Sequence, residues 1–221
     1  MQDPAAAFLT AKERDDIAAA VRAAEQQTSG EIVPVVVSSS YHYPMAGVLG
    51  AAAISLPLAI LLTYLLGAYL WLGLQNMWLF MGVFAALFAL LHWVVNRTPA
   101  VKRLFVSSRE IEDEVSEAAV TTFFREGLYR TRDETGILIF VSVFEHKVWV
   151  LADRGINAKV APERWQAVVD HITEGIRGKR QGRAICEAVA DVGGILAAHF
   201  PRQADDTDEL ENLIVRDHDA D

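Results

Sequence analysis

The chain has 221 residues and a net charge of −9, with 52% hydrophobic and 22% charged residues. These averages hide segregation, because residues 32–96 form 65 consecutive positions without Asp, Glu, Lys or Arg. An evenly mixed soluble domain and wholesale disorder are both excluded.

Thr10-Ala-Lys-Glu13 reads as a capping box opening a helix to about Gln27, with Ile17, Val21 and Ala24 inward and a stop at Ser29-Gly30. Glu31 to Val37 is a β-branched strand, in which Pro34 points to an edge or a local irregularity. The uncharged block follows at once. A membrane helix needs about 20 apolar residues for a core of about 30 Å. Two runs fit, Met45 to Leu66 and Met77 to Val95, joined by a turn over Gly67 to Asn76. Tyr41, Tyr43, Tyr69, Trp71, Trp78 and Trp93 lie near the ends, where amphipathic rings favour the headgroup layer. Pro57 is expected to kink the first helix, while Ala46xxxGly50 and Gly82xxxAla86 allow close backbone approach. The first run starts past residue 40 behind a charged amphipathic segment, so it does not read as a signal peptide. Arg97, Lys102, Arg103 and Arg109 crowd the second helix's exit, whereas the turn has no Lys or Arg. The positive-inside rule places that exit, both termini and the soluble part in the cytoplasm, as in a two-pass protein of a bacterial inner membrane.

Beyond the block, Ser107-Ser-Arg-Glu110 opens a helix carrying Ile111, Val115, Ala119 and Phe123 to about Leu128. Gly136 to Phe144 is apolar enough for a central strand covered on both faces. Glu145-His-Lys147 turns the chain into an antiparallel strand, Val148 to Ala152. Pro162 suits the first turn of a helix with Trp165, Val168, Val169, Ile172 and Ile176 inward. The last helix carries Ile185, Val189, Val192 and Leu196 and stops before Pro201, with Gly193-Gly194 marking close packing. Lone Cys186, on its apolar face, excludes an intrachain disulfide and any CxxC metal knuckle. Eight acidic residues against Arg216 make 204–221 a solvated, disordered tail, so the low charge reports on that tail and no nucleic-acid partner is implied.

The order implies an α/β fold, a small mixed β-sheet covered by helices and interrupted by a two-helix transmembrane hairpin. Residues 1–42 and 98–203 form one discontinuous domain around a hairpin at 43–97, because neither piece alone can bury its strands.

Thr28-Ser-Gly-Glu-Ile-Val-Pro-Val-Val-Val37 resembles the opening strand motif of the TPM domain. Asp133-Glu-Thr-Gly-Ile-Leu-Ile-Phe-Val-Ser-Val143 and Val148-Trp-Val-Leu-Ala-Asp-Arg-Gly155 are similar to its central hairpin, and the closing helices fit its ending. The resemblance implies an α/β/α fold and a family spanning enzymes and non-enzymes. Its members include thylakoid-lumen proteins credited with acid phosphatase activity or photosystem repair, and an accessory protein of an acetylcholine receptor.

Topology orders the chemistry. With the first two strands parallel and the third antiparallel, Glu31, Asp133, Glu134 and Asp153 gather at one sheet edge. Such a carboxylate group suits Ca²⁺ or Mg²⁺, and crowding there would raise one pKa toward acid catalysis. The plainer alternative is a solvated rim. The basic loop with Arg177, Lys179, Arg180 and Arg183 is expected beside the membrane together with Arg97, Lys102 and Arg103. Anionic headgroups would be attracted there at about 1 kcal/mol per cation; the alternative is a phosphate-bearing ligand at the last helix's amino end. His171 reads as a surface histidine and His92 as an interfacial one. There is no P-loop, GxSxG, HExxH or GxGxxG. Two functions follow: an accessory or regulatory factor for a membrane complex, partnered by lipid and another membrane protein, or a metal-dependent phosphatase at the acidic edge.

Overall fold

The computed structural model describes residues 4–71, 76–131, 134–203 and 210–216. In chain order the elements are α1 (Pro4–Phe8), α2 (Ala11–Glu25), β1 (Glu31–Val37), α3 (Pro44–Tyr69), α4 (Met77–Arg97), α5 (Pro99–Arg103) and α6 (Ser108–Arg125). A 3-10 turn at Leu128–Arg130 follows, then β2 (Gly136–Ser142), β3 (Lys147–Ala152), α7 (Arg154–Asn157), α8 (Pro162–Arg177), α9 (Gln181–His199) and β4 (Ile214–Arg216). The chain divides into two units, Met1–Tyr41 with Glu112–Asp221, and His42–Ile111. The second unit thus extends past 97 to include α5 and the first turn of α6.

In the first unit the Thr10 capping box is formed. The Thr10 hydroxyl accepts from Glu13 N at 3.2 Å, and Glu13 Oε2 accepts from Thr10 N at 2.9 Å. The Thr10 amide, and then the Thr10 hydroxyl donating to the same Oε2 at 2.8 Å, hold the Glu13 carboxyl below its ordinary range. The sheet order is β3-β2-β1-β4, with β1 parallel to β2 and β4, and β2 antiparallel to β3. Every residue of β1 and β2 is buried, as the near-continuous apolar runs require of strands covered on both faces. Ile32, Val36, Ile137, Ile139 and Val141 pack with the inward stripes of α2, α8 and α9 in one core. Val33, Val35, Val37, Leu138 and Phe140 alternate to the other face and are equally buried. α6 brings Val115, Ala119 and Phe123 as its own buried stripe.

Pro34 shows how the edge of β1 is managed. Glu31 N donates to Thr135 O, toward β2, so the amides of Ile32, Val36 and Ser38 and the nitrogen of Pro34 face the other way. Ile32 N is met by Glu25 Oε1 at 3.1 Å and Pro34 has no donor. Beyond it β4 takes over, opposite Val35 to Val37, with Ser38 N donating to Arg216 O at 3.1 Å. This corrects the expectation of a solvated tail for residues 214–216. Leu213, Ile214 and Val215 form a short apolar run that the surrounding acids mask in any average, and Ile214 is buried. Residues 204–209 and 217–221 lie outside the described residues.

The glycine pair in α9 divides its roles. A Cβ on Gly193 would come 2.6 Å from Ala24 Cβ, so α2 and α9 cross where only hydrogen fits, whereas a Cβ on Gly194 meets nothing within 4 Å. Gly193→Ala should therefore destabilise by about 1–3 kcal/mol through overpacking. Gly194→Ala should stabilise by about 0.5–1 kcal/mol through unfolded-chain entropy and helix propensity. Thermal unfolding of the two variants side by side checks the opposite signs.

In the second unit, α3 and α4 pack along each other, and α3 runs through Pro57 without interruption. Small residues of α3 allow close neighbours: a Cβ on Gly47 would meet the Asn96 amide of α4 at 2.5 Å, and one on Gly50 the ring of Phe105, just past α5, at 2.7 Å. Ala46 and Gly50 are both buried, as their spacing predicts. Gly82 behaves differently and has open space around it. Phe80, Phe84, Phe88 and His92 stack in a ladder along α4, with centroids about 6 Å apart. Both helices are long and apolar enough to cross a membrane, with mean hydropathies of 2.2 and 2.1 over their most apolar stretches. Only 33% and 6% of those stretches are buried, far from the coverage of core helices.

Candidate functional site

The strand register brings the predicted acidic edge together in part. Glu31 opens β1 opposite Gly136, Glu134 stands two residues before Gly136, and Asp153 N donates to Gly136 O at 2.9 Å just past β3. Three carboxyl groups from three chain segments thus share one end of the sheet, while Asp133 lies outside the described residues. Their bonding is not that of a cation cage. Glu134, at a φ of 55°, accepts a two-pronged contact from Arg154, Nε to Oε2 and Nη2 to Oε1, both at 2.9 Å. The Glu134 contact raises the Arg154 pKa. Asp153 Oδ1 accepts from Arg154 N at 2.7 Å and caps α7. Glu31 is 6% exposed. Among the described residues, no three His, Cys, Asp or Glu side chains converge as a metal site. The sequence contained the decisive group, since Arg154 follows Asp153 directly, but its pairing with Glu134 across twenty residues needs the β3 register.

The other end of the sheet holds a polar cluster that the sequence reading missed. Glu145, in the turn between β2 and β3, is 0% exposed. Its Oε1 accepts from Ser40 N at 3.0 Å, and its Oε2 accepts from the Ser142 hydroxyl. The Ser40 hydroxyl donates to Ser142 Oγ at 3.0 Å, and Ser38 Oγ accepts from Ala5 N at 2.8 Å. Val143 N and Phe144 N continue the ladder onto Val37 O and Ser38 O at 3.0 and 2.9 Å. This is the carboxyl end of the parallel strands, where open α/β sheets place their ligands. Here it is filled by the protein's own side chains, which fix the stretch through which β1 leaves the sheet. The signal in sequence was three serines and a glutamate at the ends of otherwise apolar strands.

Of the predicted headgroup cations, Arg177, Lys179, Arg180 and Arg183 belong to the first unit and Arg97, Lys102 and Arg103 to the second. Arg183 Nε donates to Glu187 Oε1 at 2.7 Å, and His171 Nε2 lies 3.0 Å from Glu187 Oε2. Arg183, then His171, hold the Glu187 carboxyl below its ordinary range. With Glu174 and Arg180 these groups line a shallow polar cleft between α8 and α9. A Cβ on Gly175 would meet Ala184 Cβ at 2.1 Å, so the two helices touch at its floor. Arg177 ends α8, and Lys179 lies in the connection to α9 at a φ of 55°. In the other unit, Arg97 stacks over Trp93 at 4.8 Å, and the Lys102 ammonium donates to His42 O. Burial pushes the Lys102 pKa down. Arg103 ends α5. His92 stacks on Phe88.

Residues 99–195 match the model of the TPM domain family, a stretch from α5 through most of α9 that includes β2 and β3. The fold is similar to the NMR structure of the BA42 protein from the psychrophilic bacterium Bizionia argentinensis, with a TM-score of 0.58 and 21% identity over 95% of each chain. No curated protein matches the sequence. The chain is thus similar to TPM-domain proteins over residues 99–195, and two long apolar helices intervene between its first strand and the matched segment.

Proposed function

We propose that this is a two-pass integral membrane protein whose TPM domain faces the cytoplasm and serves as an accessory or assembly factor for a membrane complex. The observation that carries the reading is the exposure of α3 and α4, two helices without a charged side chain before the closing Arg97, placed between β1 and the crossover helix that leads to its partner strand. An uncharged surface of that extent needs an apolar solvent. The cytoplasmic orientation rests on Arg97, Lys102, Arg103 and Arg109 flanking the second span, against a turn without Lys or Arg. Arg97 and Arg103, and on the domain Arg177, Lys179, Arg180 and Arg183, supply cations for anionic headgroups. Alkaline carbonate should leave the chain in the membrane, and tags at both termini should be labelled from the cytoplasmic side only. Release of the chain overturns the anchor; opposite labelling overturns the two-pass topology.

The accessory role is preferred to a hydrolase because Arg154 occupies Glu134 and α7 occupies Asp153 Oδ1 at the acidic edge. Replacing Asp133, Glu134 and Asp153 together by alanine should change neither divalent-cation binding nor turnover of p-nitrophenyl phosphate by the full-length protein. Loss of both on that replacement favours the metal-dependent phosphatase instead.

A further inference from the structure

Within the first unit, α6 and the 3-10 turn after it leave an apolar face uncovered. Val120 is 39% exposed, Phe124 57% and Tyr129 41%. The Phe124 and Tyr129 rings lie 5.4 Å apart, and the Arg130 guanidinium sits over Tyr129 at 5.3 Å while its Nε donates to the phenol oxygen at 2.9 Å. Rings so placed lose little side-chain freedom on being covered, the property that makes aromatic and arginine residues anchors of interfaces. Charge is graded along the same face. Asp113 and Glu117 lie on its amino-terminal half, at helical spacing from Val120 and Phe124, while Arg130 lies at its carboxyl end, beyond the Arg125–Glu126 ion pair.

We propose that this face pairs with the same face of a second copy, α6 antiparallel to α6 about a two-fold axis near residue 122. The gradient selects this occupant. An antiparallel arrangement sets Val120 of each copy against Phe124 of the other. It also brings Asp113 and Glu117 of each toward Arg130 of the other, so one surface complements itself. A parallel pair would oppose acid to acid. The inference goes beyond the proposed membrane function and does not require the helices α3 and α4 to lie in lipid.

The test is energy transfer between differently labelled full-length copies, in detergent micelles and in dilute vesicles, on wild type and five variants. Phe124→Ser should lower the association constant by at least about tenfold, the scale of one buried aromatic anchor. Glu117→Arg and Arg130→Glu should each lower it by about threefold to tenfold, and the double reversal should restore it, because complementarity returns with the signs exchanged. Recovery in the double variant cannot come from damage to the fold. A wild type that remains monomeric in both media overturns the pairing. So does a dimer indifferent to Phe124→Ser but abolished by Gly82→Ile, which would place the contact on α4. A face of wild-type monomer that becomes covered only when another membrane protein is added also overturns it.

Discussion

Glu145→Ala is expected to destabilise the α/β domain by about 3 kcal/mol, since it removes a fully buried carboxyl and leaves two hydrogen-bond donors without their acceptor at once. Ser40 N and the Ser142 hydroxyl would lose their acceptor in a place where water does not replace it, at about 1–3 kcal/mol per stranded group, with a cavity added. The melting temperature should fall by roughly 6–12 °C for a chain of this size. Glu145→Gln retains one carbonyl acceptor for Ser40 N but turns an amide donor toward Ser142, so an intermediate loss is expected. Circular dichroism melts of the full chain in detergent resolve the order wild type, Gln, Ala. Equal melting of all three variants would mean that the cluster contributes nothing to holding the end of β1.

The same cluster marks the boundary of what the sequence made legible. The helices and the three main strands were readable because burial writes itself as periodicity. Ile17, Val21 and Ala24 recur at helical spacing, and β2 is covered on both faces and so is apolar throughout. The parallel pairing of β1 with β2 followed from connectivity, since a helix stands between them. Glu145 was not readable, because nothing local distinguishes a turn glutamate facing water from one folded back under Ser40. β4 was hidden for the opposite reason. Leu213, Ile214 and Val215 have strand character, but the acids on either side dominate the average, and it is the edge of β1 over Val35 to Ser38, distant in sequence, that gives the run a partner.

The acidic edge was legible as geometry and not as chemistry. Register placed Glu31, Glu134 and Asp153 at one end, as the topology argument required. What each carboxyl touches depends on side chains that the register alone leaves open. Arg154 lies one residue beyond Asp153 in sequence, yet its guanidinium reaches Glu134 while its own amide is capped by Asp153. The basic loop shows the same limit: position alone did not reveal that Arg183 donates its Nε to Glu187 one helical turn along.

The largest consequence of the membrane reading can be tested at one exposed residue. Ala86 lies near the middle of α4 and is exposed, on the side where Gly82 also meets open space. If that side met water, Ala86→Arg would be an ordinary surface substitution, worth within about 0.5 kcal/mol. In lipid the same arginine sits at the centre of a span and costs about 2.5–3.5 kcal/mol of insertion free energy. That is a factor of roughly 100 in the partition between inserted and uninserted helix. Ala86→Leu, similar in bulk gained but apolar, should insert as well as wild type or better. Glycosylation-site mapping of the α4 segment, with carbonate extraction of the full chain, should therefore separate arginine from leucine sharply. Near-identical insertion of the two variants would place the outer face of α4 in water and remove the basis for a bilayer anchor.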